Sequence, residues 1–173
     1  MNPHGRPERS EAADYYFTYI DLVPEGEICE TLDAQLAEMI TLLERVTPDR
    51  IDYRYAPDKW SIREVLGHLN DTERLFMFRA FWFARGFDSP LPSFDQHVAL
   101  LHAVAGSRSW QSHVDEFRSL RQSTVLFFRH LPPEAWLRRG IASGNPFTVR
   151  ALAYTGAGHV IHHSNILRDR YAL

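Results

Sequence analysis

The sequence has only one cysteine, Cys29, among its 173 residues. A single cysteine excludes an internal disulfide and a zinc site made of four thiolates, and it is typical of a protein in a reducing compartment. The chain also lacks a run of about 18 apolar residues that would span a membrane. Residues 1–14 are polar and lack the apolar stretch of a signal peptide. We therefore predict a cytoplasmic protein with no membrane partner.

The sequence also lacks an excess of basic residues. Lys and Arg number 19 and Asp and Glu 22, so the formal net charge is −3 with neutral histidines. This balance predicts no nucleic-acid partner, because nucleic-acid-binding domains usually carry a basic stripe. The chain does have the length of one domain, 45% hydrophobic residues and nine histidines. The central question is which of these histidines act together.

Four segments carry apolar residues at the spacing of amphipathic helices, at about 29–46, 62–85, 107–130 and 148–169. The second begins at a capping box formed by Ser61 and Glu64. The connection 49–60 contains a strand-like stretch, Ile51–Tyr55, and the connection 87–106 is predicted to hold a short helix near 94–104. Four such helices predict an all-α four-helix bundle. We assign residues 29–173 to this domain, and residues 1–28 to a loose N-terminal tail followed by an aromatic entry segment.

Two histidines of the fourth predicted helix, His159 and His163, stand four residues apart. Residues at this spacing share a helix face, so two imidazoles can converge on one ion, as in helical HxxxH zinc sites. We expect a third ligand from another helix, and His68 is the leading candidate because it lies at the edge of an apolar stripe. Three neutral ligands leave a coordination position open, as in catalytic zinc sites. Gly156 and Gly158 predict open space for a substrate above His159.

Several other side chains have both a functional and a structural interpretation. Glu73 and Glu64 are candidates for a catalytic carboxylate, although Glu73 also fits a buried partner for an arginine or a tryptophan. His162 fits a supporting or structural role better than a ligand role. Cys29 is expected to be a buried, inert thiol. Large apolar residues of the second helix predict core packing and a dimer contact; they are Phe76, Phe78, Phe81 and Trp82.

Two motifs resemble those of a known family. The stretch Trp60–Glu73, WSIREVLGHLNDTE, resembles the second-helix motif of DinB/YfiT-like proteins, and Gly158–His163, GHVIHH, resembles their fourth-helix motif. The entry segment Asp14–Pro24 is similar to that of one branch. The resemblance implies an up-down-down-up four-helix bundle, often dimeric, whose divalent metal is held at the positions of His68, His159 and His163. The expected ion is zinc or nickel, with iron or manganese as alternatives.

The resemblance leaves three functions open. Characterised relatives include bacillithiol and glutathione S-transferases and a mycothiol-dependent maleylpyruvate isomerase, which predicts a low-molecular-weight thiol and an electrophilic substrate as partners. Other members are described only as metal-dependent hydrolases, in which a metal-activated hydroxide would be the nucleophile. The third alternative is a non-catalytic module that binds a metal or a small ligand. The motifs are specific for fold and metal but not for the reaction, because this bundle hosts several chemistries.

Overall fold

The structure, a computed structural model, describes residues 4–173 and is mainly helical. Its helices are α1 (Asp14–Ile20), α2 (Ile28–Leu43), α3 (Ile62–Ala84), α4 (Gln96–Ala103), α5 (Trp110–Arg129) and α6 (Val149–Tyr171). Two antiparallel strands, β1 (Arg139–Ala142) and β2 (Asn145–Thr148), precede α6, and short 3₁₀ turns lie at Arg9–Glu11, Ala105–Ser107 and Pro133–Leu137. No helix among the described residues is both long and apolar enough to cross a membrane.

The four long helices, α2, α3, α5 and α6, form the predicted bundle, and contacts near their ends give their directions. Arg129 at the end of α5 pairs with Asp33 near the start of α2, so these two helices are antiparallel. Asn70 in the first half of α3 donates a hydrogen bond to the carbonyl of His113 in the first turn of α5, so α3 and α5 are parallel. Helices α2, α3 and α5 therefore run up, down and down.

The start of α3 meets the end of α6, which completes the arrangement. The Tyr171 hydroxyl donates a hydrogen bond to the Trp60 carbonyl, so α6 is antiparallel to α3 and the bundle is up-down-down-up, as predicted. Helix α3 begins at the predicted capping box, in which Ser61 and Glu64 each accept a hydrogen bond from the other's backbone N–H. The Glu64 carboxylate also pairs with Arg54.

Buried apolar side chains form two clusters, and a polar network lies between them along the helices. Arg121 of α5 donates to Gln35 of α2 at 2.7 Å and to Glu73 of α3 at 2.9 Å. Gln35 in turn donates to the carbonyl of Ala157 in α6 at 3.0 Å. Because the network joins all four bundle helices, it fixes their relative register.

One local prediction is wrong. The segment Ile51–Tyr55, predicted to be strand-like, lies in turns and bends, in which the Arg50 and Tyr53 amides donate to carbonyls three residues back. The hairpin formed by β1 and β2 was not predicted, and residues 143 and 144 form its tip. Ser143 and Gly144 both have positive φ angles there, as in the two-residue turns that suit hairpins. The predicted short helix near 94–104 is confirmed as α4.

The N-terminal segment predicted to be a loose tail packs on the bundle from residue 4 onward; residues 1–3 lie outside the described part. Glu11 is 2% exposed, and its carboxylate accepts hydrogen bonds from Thr148 and from Arg150, each at 2.7 Å. Thr148 is also the N-cap of α6. The prediction failed because these partners lie about 140 residues further along the chain, where no local pattern indicates them.

Replacing Glu11 with Gln is expected to lower the free energy of unfolding at neutral pH by about 3–5 kcal/mol, because buried Arg150 loses its carboxylate partner. Burial by itself raises the Glu11 pKa, but hydrogen bonds from Arg150 and Thr148 outweigh it and lower the pKa below 4.5. The stabilisation is therefore present above pH 4.5 and is lost as the pH falls through the lowered pKa.

Urea unfolding at several pH values measures this effect. The difference in free energy of unfolding between the wild type and Glu11→Gln should become smaller as the solution becomes acidic. The control is Glu38→Gln, which removes an exposed carboxylate from the middle of α2 and should change stability by no more than about 0.5 kcal/mol. A difference in free energy of unfolding that stays constant through the acidic range would contradict the stabilising role of the Glu11 carboxylate.

Candidate metal centre

The three histidines singled out from the sequence meet inside the bundle. The Nε2 atom of His159 lies 3.2 Å from Nε2 of His68 and 3.2 Å from Nε2 of His163. All three potential ligand atoms lie within 4.8 Å of one another. Two nitrogens bound to one tetrahedral zinc ion at about 2.0–2.1 Å would be roughly 3.3 Å apart. The spacing of these imidazoles therefore fits a shared ion.

Helix α3 supplies both His68 and a hydroxyl that orients His159. The Thr72 hydroxyl donates to the His68 carbonyl at 2.8 Å, and its oxygen lies 3.4 Å from Nδ1 of His159. Since the hydroxyl proton is used on the carbonyl, Thr72 is placed to accept a hydrogen bond from a protonated Nδ1. This tautomer leaves the lone pair of His159 on Nε2, which faces the other two histidines.

Burial keeps the three imidazoles neutral. Desolvation lowers the pKa of His68 to about 4, with a smaller contribution from His97. Desolvation together with His68 and His162 lowers the pKa of His163 to about 3. The pKa of His159 is also well below its ordinary value, mainly because of burial. A metal requires deprotonated imidazole nitrogens, so the cluster is ready to bind an ion at neutral pH.

Pockets border the histidine cluster on several sides, and one of about 120 Å³ reaches His68. A cleft of about 550 Å³ is lined by His68 and His159 and extends between α1, α3 and the segment that leads into α4. A smaller pocket of about 240 Å³ reaches His163 from another direction. Aromatic rings surround the imidazoles: Tyr19 and Phe76 pack against His159, and Trp60 packs against His68. A small molecule in the larger cleft would therefore touch the cluster within partly apolar walls.

The open space predicted above His159 is not where the sequence suggested. A Cβ added at Gly158 would lie 2.0 Å from the backbone oxygen of Tyr19, so the glycine is needed for the close approach of α1 to α6. At Gly156 the nearest atom would be a side-chain carbon of Phe76 at 3.9 Å. The prediction failed because the aromatic entry segment forms helix α1 and fills the space over Gly158.

These two glycines give a matched pair of variants. Gly158→Ala is expected to lower the free energy of unfolding by about 1–3 kcal/mol or more, because the added methyl group pushes against backbone rather than a mobile side chain. Gly156→Ala should leave stability unchanged or raise it by up to about 1 kcal/mol, because alanine favours the helix. Thermal or urea unfolding of both variants measures the difference, and equal effects would contradict the close contact.

The two candidate carboxylates lie outside the larger cleft. Glu73 is buried and pairs with Arg121 in the polar network, which matches its structural interpretation. Glu64 is used by the helix cap and by Arg54. His162 is half-buried, contacts the rings of Tyr19 and His163, and is outside the cluster of potential ligand atoms. Cys29 is buried, and burial together with nearby Glu27 raises its thiol pKa to about 12, as expected for an inert thiol.

Sequence reasoning missed most polar residues of the larger cleft, and three of them lie together. Arg79 of α3, Tyr16 of α1 and Ser143 of the hairpin tip line the wall beyond the histidines. One signal was available, because Arg79 is the only charged residue between Phe76 and Ala84 in an otherwise apolar stretch of α3. The other two are brought to the cleft by α1 and by the hairpin, neither of which was predicted as such.

The fold and the histidine cluster together define a helical-bundle protein with a candidate three-histidine metal centre. The family model of the DinB superfamily matches residues 31–167, so the chain belongs to the DinB superfamily. A solved structure, YfiT from Bacillus subtilis, covers 99% of this chain and 99% of its own length, with a TM-score of 0.70 and 16% sequence identity. It is described as a probable metal-dependent hydrolase with an unusual four-helix bundle topology. Comparison with curated proteins found no match.

Proposed function

We propose that this protein is a metal-dependent enzyme in which His68, His159 and His163 hold one divalent ion at the inner end of the larger cleft. The supporting observation is the convergence of three neutral Nε2 atoms, two of their separations being 3.2 Å, beside a cleft large enough for a small molecule. Zinc or nickel is the proposed ion, and iron or manganese would fit the same ligands.

The hydrogen bonding of the three imidazole nitrogens indicates whether they fit such an ion. The Nε2 atom of His159 is the shared hydrogen-bond partner of the other two Nε2 atoms, and its single lone pair can accept only one well-directed hydrogen bond. A divalent ion resolves this arrangement, and three neutral ligands leave its charge uncompensated. When bound, it would supply Lewis acidity that lowers the pKa of a thiol or of water in the cleft.

We favour a thiol S-transferase as the activity. The described residues that line the cleft include one carboxylate, Asp95, and its side chain caps α4 by accepting hydrogen bonds from two backbone amides. A thiol needs only to lose its proton, whereas hydrolysis is usually assisted by a general base. The thiol loses its proton to water, the sulfur forms a bond to the electrophilic carbon, and the bond between that carbon and the leaving group breaks with its electrons departing on the leaving group.

The chain's own residues would hold and shield the reactants. Thr72 orients the imidazole of His159 through the contact described above. Tyr19, Phe76 and Trp60 pack their rings around the histidines and reduce the access of water. Such walls strengthen electrostatic interactions between the bound thiol and its surroundings because they lower the local dielectric constant.

A paired assay tests this activity. Zinc- or nickel-loaded protein is given a chloronitrobenzene electrophile with glutathione, coenzyme A, bacillithiol or mycothiol, and separately a nitrophenyl ester without thiol. A transferase requires thiol-dependent release of chloride that disappears in metal-free protein and in His159→Ala. If no thiol supports conjugation while the metal-loaded protein binds the thiols, the transferase proposal fails and the metal site remains to be explained.

A metal-dependent hydrolase is the second candidate, and the description of YfiT, which has the same fold, favours it. Metal-dependent cleavage of the nitrophenyl ester without thiol would support this alternative. Firm metal binding with neither activity would instead support a non-catalytic binding module.

We also propose a homodimer. Three large apolar side chains are exposed on the neighbouring helices α3 and α5: Phe78 at 48%, Phe81 at 39% and Leu126 at 55%. Covering these side chains would remove apolar surface from water. Light scattering should give a dimer for the wild type and a monomer for Phe78→Glu/Leu126→Glu, and a monomeric wild type would contradict the proposal.

A further inference from the structure

One buried cation in the larger cleft, Arg79, has no carboxylate partner among the described residues. Arg79 is 3% exposed, and one of its terminal nitrogens donates to the Pro92 carbonyl at 3.0 Å and to the Ser143 hydroxyl at 2.8 Å. The Tyr16 hydroxyl also interacts with Arg79 and Ser143. Within residues 4–173, no carboxylate forms an ion pair with this guanidinium, and burial lowers its pKa from the ordinary arginine value.

The other two buried arginines behave differently. Arg121 pairs with Glu73 and Arg150 pairs with Glu11, and all four side chains are at least nine-tenths buried. Burying a charge without a counter-ion is costly, so buried arginines are normally paired. Arg79 is the exception among the three, and it lies in a cleft rather than in the bundle core. An anion from solution would supply the missing partner.

The distance between Arg79 and the histidines sets a minimum length for a molecule that reaches both. His68 and Arg79 are eleven residues apart on α3, which places them on nearly the same helix face and about 16 Å apart along the axis. Both side chains line the same cleft. A molecule that reaches both must be extended, with its reacting atom several bonds away from its anionic group.

We propose that Arg79, assisted by Tyr16 and Ser143, binds a carboxylate of the molecule whose reacting end lies at the three histidines. The planar guanidinium fork matches a carboxylate, and the two hydroxyl groups provide further hydrogen bonds. Asp95, the carboxylate on the cleft wall, is exposed and occupied by the cap of α4. This inference rests on the proposed function, because the other end of the bound molecule is placed at the proposed metal centre.

Two contacts are proposed to hold the molecule, one at Arg79 and one at the metal. They are measured separately by comparing the binding of matched thiols to metal-loaded and to metal-free protein. The probes are ω-mercaptoalkanoates of increasing chain length and the ω-mercaptoalkanols of the same lengths, measured by calorimetry. We expect the carboxylate to strengthen binding about 10- to 100-fold at the best chain length, with or without metal. In Arg79→Met this advantage should disappear, whereas binding of the alcohols should change by no more than about threefold. Arg79→Lys should retain part of it.

Arg108→Gln is the charge-matched control, because Arg108 is an exposed arginine outside this cleft that pairs with Glu116. It should preserve the full carboxylate advantage. A carboxylate advantage that survives Arg79→Met would overturn the proposal, and so would wild-type protein that shows no carboxylate advantage at any chain length, either with these thiols or with the corresponding ω-bromoalkanoates. The wild-type comparison needs no variant, so a failure of Arg79→Met to fold does not prevent the test.

The two proposals fail in distinguishable ways. A metal-dependent gain in alcohol binding tests the metal centre alone, whereas the carboxylate advantage in metal-free protein tests Arg79 alone. The carboxylate could belong to the thiol or to the electrophilic substrate. Repeating the comparison with ω-bromoalkanoates and their ethyl esters distinguishes these two sources. An Arg79-dependent advantage in the thiols or in the bromides supports the subsite and identifies its carrier, and its absence from both overturns the subsite.

Discussion

Replacing His163 with alanine is expected to weaken the binding of a divalent ion by at least about 100-fold. Loss of a residue that only supports a ligand typically weakens metal binding about 10- to 100-fold, and His163 is proposed as a direct ligand. The Nε2 atom of His163 lies 3.2 Å from the Nε2 atom of His159, which is the central residue of the cluster. Calorimetric titration of metal-free protein with zinc measures the change.

His162→Ala is the matched control, because it removes an imidazole from the adjacent position of the same helix. His162 contacts the rings of Tyr19 and His163 but contributes no atom to the cluster. Its replacement should change zinc affinity by less than about 10-fold, below the loss typical of a residue that hydrogen-bonds to a ligand, because His162 only packs its ring against His163. Equal losses in the two variants, or a loss confined to His162→Ala, would contradict the assignment of His163 as the ligand.

Breaking the buried Glu73–Arg121 pair is expected to lower the free energy of unfolding by about 3–5 kcal/mol. Both side chains are nearly inaccessible, so either single variant, Glu73→Leu or Arg121→Met, leaves a buried charge without its partner. The double variant removes both charges and should be more stable than at least one of the singles. Urea unfolding of all four proteins gives the coupling free energy.

An exposed ion pair provides the comparison for that cycle. Arg118 and Asp115 are three residues apart on the surface of α5, and Asp115→Asn should change stability by no more than about 1 kcal/mol. Additive effects of Glu73→Leu and Arg121→Met would contradict the direct pairing of the two charges. The double variant should still bind zinc, because neither residue belongs to the histidine cluster.

The bundle and the three histidines were predictable because their signals are local or depend on one helix face. Apolar periodicity indicated the four long helices, the capping box at Ser61 marked the start of α3, and the HxxxH spacing paired His159 with His163. His68 was found because a histidine at the edge of an apolar stripe faces the inside of a bundle. The family motifs then joined the two helices into one site.

The remaining features depend on contacts between distant parts of the chain. Glu11 is buried by α6, and Gly158 is required because the backbone of α1 crosses it, so neither role is visible in the neighbouring sequence. The same helix α1 brings Tyr16 and Tyr19 to the cleft. The charge of Arg79 in an apolar stretch was a signal that the sequence analysis did not use, and its lack of a carboxylate partner within residues 4–173 could be recognised only once its surroundings were known.

Diffraction data collected near the zinc absorption edge, from crystals of untagged protein grown with zinc, test the proposed centre most directly. One anomalous peak should lie about 2.0–2.1 Å from the Nε2 atoms of His68, His159 and His163. A peak elsewhere, or a well-ordered histidine cluster without a peak at saturating zinc, would contradict the three-histidine centre.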